Sequence, residues 1–239
     1  MGVFSFKRFD VSNEQSTMKV GTDGVLLGAA VSICAADRRV LDAGTGTGTI
    51  ALMLAQRYSD IGASPEIEGI DIDGPSAREA ALNFASSPWS ETMCAKQCPL
   101  GGYRPSEPFD LIVSNPPYFE DALLPPEKRR ATARHAGGDA MSFGDLAAFA
   151  AEYLSAAGRM AVILPAASEK ANVRVAAAEG LYPQRLLRVR TTPRKDFSRV
   201  VMEFARSRSD LVSEESLILQ ENGPTEAYRA LVKDFYLWA

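Results

Sequence analysis

Arg39-Val-Leu-Asp42-Ala43-Gly44-Thr-Gly46-Thr-Gly48-Thr49-Ile50 decides the fold of this 239-residue chain. A short apolar run breaks into evenly spaced glycines, and Ile50 to Tyr58 continues with apolar residues at helical spacing. Buried strand, glycine turn and amphipathic helix form the opening unit of a parallel α/β sheet. The glycines let the backbone turn sharply and approach a ligand at the helix N-terminus, where unpaired N–H groups collect. A dinucleotide site is one reading of such a turn. Its fingerprint is G-x-G-x-x-G, whereas these glycines fall as G-x-G-x-G, with Thr49 in the last place. Asp42, two residues before Gly44, suits a cationic ligand better than a pyrophosphate. A tight turn that holds no ligand is the bland alternative.

Outward from this unit, short apolar runs alternate with amphipathic stretches. Strands are expected at 39–43, 67–73, 91–95, 109–114, 158–164, 185–190 and 200–205, with helices at 50–58, 76–84 and 143–154. In such sheets ligands lie beyond the carboxyl ends of the strands. Asp71 ends the second strand, where a carboxylate can accept hydrogen bonds from both ribose hydroxyls. Asp73 shares its face but lies further out.

Asn115-Pro116-Pro117-Tyr118 follows the fourth strand directly. An exocyclic amine conjugated to a ring is a poor nucleophile because its lone pair is delocalised. The Asn115 side-chain oxygen and a backbone carbonyl near Pro116 can accept both of its N–H bonds. That draws the nitrogen toward tetrahedral geometry and stabilises the charge that grows during transfer of a group onto it. The prolines fix the backbone, and Tyr118 offers a face on which a planar substrate can stack. A proline-rich turn is the structural alternative.

Composition bounds the rest. Hydrophobic residues make up 46% and charged residues 23%, an ordinary globular balance that favours one domain. No apolar run reaches the roughly 18 residues of a membrane span, and Met1 to Asp10 does not read as a signal peptide. Cys34, Cys94 and Cys98 form no disulfide framework. Cys94 and Cys98 with the single histidine, His135, fall short of a four-ligand metal site. The net charge of −4 argues against a purely electrostatic nucleic-acid binder. Residues 174–208, however, hold nine basic residues against three acidic ones, an excess of six, so the rest of the chain carries −10. A second basic cluster is Lys128, Arg129, Arg130 and Arg134. Such patches attract phosphates, although a solvated surface explains either cluster alone.

Taken together, Asp42–Gly48, Asp71 and Asn115–Tyr118 resemble the class I, Rossmann-like S-adenosylmethionine-dependent amino-methyltransferases. Phe9 to Ala29, Asn115 to Phe119 and the stretch from Glu226 to Leu237 are similar to the bacterial tRNA1(Val) adenine-N6-methyltransferases, so the resemblance spans nearly the whole chain. It implies a mostly parallel seven-stranded α/β sheet with an antiparallel last strand and helices on both faces. Residues 1–38 would close over the cofactor, 39–206 form the sheet core and 207–239 a strand and helix tail. The cofactor implied is S-adenosyl-L-methionine, held by Lys19, Thr22, Asp23, Asp42, Gly44, Gly46, Gly48, Asp71, Ile72 and Cys98. Thr22 or Asp23 could equally cap a helix over 25–30. Many relatives carry an acid after the third strand for the cofactor's adenine amine, and this chain offers Gln97 or Cys98 instead.

The substrate implied is the adenosine beside the anticodon, whose N6 attacks the sulfonium methyl directly, in a cytoplasmic enzyme with no membrane and no obligatory protein partner. Asn115, Pro116, Pro117 and Tyr118 would be catalytic. Arg129, Arg130, Arg134, Arg194, Lys195 and Arg199 would hold phosphates of the tRNA anticodon arm. Rival readings are methylation of ribosomal RNA or DNA adenine, methylation of a protein glutamine, and a non-catalytic RNA-binding module. The glutamine enzymes carry a helical domain ahead of the sheet, for which the strand beginning near Val40 leaves no space.

Overall fold

Val40 and Leu41 are both fully buried and face opposite sides of one sheet, as period-two alternation requires. The computed structural model describes residues 2–16, 18–117 and 141–239. Its strands are β1 (Val3–Ser5), β2 (Asp10–Ser12), β3 (Arg39–Ala43), β4 (Glu66–Asp71), β5 (Met93–Gln97), β6 (Phe109–Ser114), β7 (Leu154–Pro165), β8 (Tyr182–Arg190), β9 (Arg199–Ala205) and β10 (Ser213–Ile218). The helices are α1 (Thr22–Ala30), α2 (Thr49–Asp60), α3 (Gly74–Ala85), α4 (Phe143–Tyr153), α5 (Glu169–Ala178) and α6 (Glu226–Val232).

The main sheet runs β10-β8-β9-β7-β6-β3-β4-β5, with β9 antiparallel to both neighbours and every other pair parallel. Two apolar layers cover it. Leu26, Leu52, Phe84 and Val232 bring α1, α2, α3 and α6 onto the face of Val40. Leu146 and Ala176 bring α4 and α5 onto the face of Leu41. The chain leaves β3 toward β4 on one side and returns to β6 on the other, so a topological switch opens above β3 and β6.

The α/β class and the antiparallel strand agree with expectation, but the sheet has eight strands rather than seven. The strand expected in the 207–239 tail, β10, reads Ser-Glu-Glu-Ser-Leu-Ile and joins the main sheet by pairing with β8 along its edge, which makes the eighth strand. Its first four residues are exposed, so it has no apolar alternation to announce it. The third strand starts at Met93 instead of Glu91 because Ser90–Thr92 closes a short turn, with the Thr92 N–H donating to the Trp89 carbonyl at 3.1 Å. The second strand stops at Asp71 because Asp73 caps α3, accepting from the Ser76 N–H at 2.9 Å. Helix α1 begins after Gly21 without a side-chain cap, which removes the capping role considered for Thr22 and Asp23. The hairpin of β1 and β2 packs Phe6 and Phe9 in a stacked pair, and Tyr236 from the C-terminal tail stacks on Phe6.

Candidate active site

Backbone and carboxylate hold the glycine turn together. Gly44, Gly46 and Gly48 all have positive φ, at 73°, 55° and 81°. At Gly48 a methyl group would stand 2.4 Å from the Phe84 ring, so that glycine lets α3 pack under the turn. The Gly46 N–H donates to Asp71 Oδ2 at 2.9 Å, and the Asp73 N–H donates to Oδ1 at the same distance. Burial pushes the Asp71 carboxyl up, while these backbone donors oppose the rise. The Ile72 backbone N–H opposes it as well, and three donors still leave the four lone pairs of the carboxylate room for a ligand.

Asp42 sits beneath the turn, with no solvent exposure. The Thr45 hydroxyl donates to its Oδ2 at 2.8 Å, and Oδ1 makes no hydrogen bond of normal geometry. Burial pushes this carboxyl up to about 7, with the Thr45 hydroxyl opposing. Neither Asp42 nor Gly48 lines the clefts described next. Both support the loop from behind.

Two clefts meet over the carboxyl ends of β3, β4 and β6, sharing Met18, Gly44, Gly46 and Asn115. The first, about 200 Å³, sets the Asp71 carboxylate among apolar walls from Ile70, Ile72, Leu100, Pro117 and Met141, with Cys98 at its edge. A carboxylate in an apolar slot suits a ribose joined to a flat base. The second, about 270 Å³, carries Lys19, Thr22, Asp23, Thr45, Thr47 and Thr49. Its mixed charges and hydroxyls suit an amino acid's ammonium and carboxylate. The donor set therefore fits S-adenosyl-L-methionine, nucleoside on one side and methionine on the other.

The structure thus brings Lys19, Thr22, Asp23, Gly44, Gly46, Asp71, Ile72, Cys98, Asn115 and Pro117 to one site. Pro116 is buried beside them. Of the two residues offered in place of the usual acid, Cys98 lines the cleft and Gln97 does not. Lys19 Nζ donates to the Asn13 and Glu14 carbonyls at 3.0 and 2.9 Å, and so also ties the segment before it. Arg199 Nε donates to Asp23 at 2.8 Å, linking the start of β9 to the second cleft. Arg194 and Lys195 are exposed in the β8–β9 turn at the same end of the sheet. Tyr118, Arg129, Arg130, Arg134 and His135 lie outside the described residues. Among those described, no three His, Cys, Asp or Glu side chains converge as metal ligands would.

Sequence reading missed Glu79 and Asn83. Glu79 accepts from the Glu14, Gln15 and Ser16 N–H groups at 2.6 to 2.9 Å. Burial raises its carboxyl, but these donors outweigh that and hold it below the ordinary value. Asn83 bridges Ser12 and the Thr47 carbonyl. Both dock the N-terminal segment against the turn, which brings Met18 over the clefts. The signal was available, since Glu79 and Asn83 occupy helical positions in the stripe of Ser76, Ala80 and Phe84 that α3 buries.

A methyltransferase small-domain family model matches residues 1–172. The chain is 40% identical to a tRNA1(Val) (adenine(37)-N6)-methyltransferase of Phocaeicola vulgatus, covering 98% of this chain and 97% of the relative. It is 39% identical to the enzyme of the same name from Trichodesmium erythraeum, again over 98% and 97%. In fold it is similar to a predicted O-methyltransferase from Agrobacterium tumefaciens, at TM-score 0.66 and 16% identity, covering 89% of this chain and 96% of that one.

Proposed function

The chain belongs to the methyltransferase small-domain family, and from that premise we propose that it methylates N6 of adenosine 37, beside the anticodon, in tRNA1(Val). The observation that carries the reading is the meeting of both clefts at Asn115. S-adenosyl-L-methionine would supply a methyl group from its cationic sulfur, which would leave as the neutral thioether while the methylated amine gives up one proton to water. Asp71 holds the ribose and Ile72 flanks the base. Lys19, Thr22 and Asp23, on the N-terminal segment that Glu79 docks, would hold the amino-acid end. The Asn115 amide oxygen and the Pro116 carbonyl accept the two N–H bonds of the target amine, which localises its lone pair and stabilises the developing charge. Tyr118 stacks on the adenine, which is turned out of its own stack to reach the site. Positioning and electrostatics supply most of the acceleration.

Arg194, Lys195, Arg199 and the Arg129–Arg134 cluster hold phosphates of the anticodon arm. That local attraction offsets the repulsion between a polyanion and a chain of net charge −4. Such an enzyme works where tRNA matures, in the cytoplasm. Among the described residues no helix is long and apolar enough to cross a membrane. The test is to incubate the protein with methyl-labelled S-adenosyl-L-methionine and separate fractions of RNA, DNA and protein from cells lacking the gene. Label in the tRNA fraction supports the reading. Label confined to ribosomal RNA, DNA or protein replaces it with the corresponding rival.

A further inference from the structure

The turn between β8 and β9 carries a feature that phosphate binding does not explain. Phe197 is 36% exposed, an unusual place for a large apolar ring, in a stretch that also presents Arg194 and Lys195 to solvent. The Arg190 guanidinium carbon lies 4.7 Å from the centre of that ring. Arg190 is itself braced, with one terminal nitrogen donating to the Pro193 carbonyl at 3.3 Å. The turn is closed by backbone bonds from Ser198 to Val189 at 2.9 Å and from Lys195 to Thr192 at 3.1 Å. One face of a held aromatic ring is thus backed by a cation.

The register places this ring at the rim of the active site. Ser114, just before Asn115, pairs with Val162 of β7, and three residues further Pro165 pairs with Arg199 of β9. The turn therefore rises beyond the carboxyl ends of the strands, two strand spacings, or about 10 Å, to the side of Asn115. Arg199 fixes its base to Asp23 of the second cleft.

An exposed aromatic ring backed by one cation and flanked by two more, with a single acid, Asp196, between, lies beside a site for a turned-out base and matches the way proteins hold unpaired nucleotides. Every base has a π-face, and stacking on an aromatic ring needs no particular sequence. A partner that is polyanionic and carries flat rings satisfies both the charge and the ring at once. We propose that Phe197, backed by Arg190, is the stacking platform for a loop nucleotide adjacent to the methylated adenosine. The proposal rests on the RNA reading above. It adds a positioning residue that sets the register of the loop, so that the neighbouring adenine reaches Asn115.

The test is steady-state methylation of an anticodon stem-loop by the full chain and by Phe197→Ala, Phe197→Leu and Phe197→Trp. Each assay is repeated on RNAs with an abasic site at either neighbour of the target. Loss of one stacked base is worth roughly 5- to 150-fold in affinity. Phe197→Ala and Phe197→Leu should raise KM for the stem-loop by at least about fivefold, with cofactor affinity and the salt dependence of RNA binding unchanged. Phe197→Trp should retain the parental KM. An abasic site at one neighbour should raise KM for the parent while abolishing the difference between parent and Phe197→Ala. An active parent with equal KM for all variants overturns the proposal, as does a penalty that survives both abasic RNAs. A parent that methylates no RNA overturns the functional reading itself, a separate and recognisable outcome.

Discussion

Asp42→Asn isolates the buried carboxylate under the glycine turn. The parental carboxyl is fully buried, with one hydroxyl donor from Thr45 at 2.8 Å, and burial pushes it up to about 7 from an ordinary 3.8. The folded protein therefore holds this proton more tightly than the unfolded chain does. Its contribution to stability is complete below about pH 3.8, is lost as pH rises toward 7, and levels off above that. At about 1.36 kcal/mol per pH unit the whole loss is about 4 kcal/mol, of which about 3 kcal/mol falls between pH 5 and pH 8. An amide does not titrate. Stability of Asp42→Asn relative to the parent should therefore improve by about 3 kcal/mol across that range, while all other titrations are shared and cancel. Urea unfolding of both proteins, followed by circular dichroism at half-unit pH steps, measures the difference. A difference that stays constant within about 1 kcal/mol would show that Asp42 ionises as an ordinary surface acid, and the account of the turn would be wrong.

Three further outcomes follow from named contacts. Asn115→Ala should leave S-adenosyl-L-methionine binding by calorimetry nearly intact and reduce turnover by about 2.7–4 kcal/mol, since its hydrogen bonds strengthen only as charge develops. Unchanged turnover would make the motif structural. Gly48→Ala combines a left-handed backbone with a methyl 2.4 Å from the Phe84 ring, and should lower unfolding free energy by roughly 2–4 kcal/mol in chemical denaturation. Arg194→Ala with Lys195→Ala should flatten the slope of log RNA affinity against log salt by about one to two units, read by fluorescence anisotropy, with cofactor binding unaffected. A slope equal to the parent's would return these two residues to the solvated surface.

Local patterns carried most of the fold. Val40, Leu41, Ile112 and Val113 are buried on both faces and make runs that only a central parallel strand explains. The cleft residues Gly44, Asp71 and Asn115 were legible because each immediately follows or ends such a strand, and Gly46 because it belongs to the glycine turn after β3. For strand β10 the resemblance implies only a strand within 207–239, and the residues do not place it, because it joins through backbone bonds at an edge that demands no apolar side chain. Glu79 and Asn83 escaped for a different reason. Their partners at 12–16 and Thr47 are brought close only by the folded arrangement, and sequence spacing does not report contacts 36 to 71 residues apart. The ion pair of Asp23 with Arg199 spans 176 positions and joins two residues expected to meet different ligands. That contact ties the second cleft to the start of β9.

The central claim is tested most directly by nucleoside mass spectrometry of tRNA1(Val) purified from cells lacking the gene. The purified tRNA is incubated with the protein and S-adenosyl-L-methionine carrying a deuterated methyl group. The account predicts one deuterated methyl per tRNA, recovered as N6-methyladenosine at position 37 and absent with Asn115→Ala. Deuterated methyl in any other nucleoside, or none in the tRNA while the protein binds the cofactor, contradicts it.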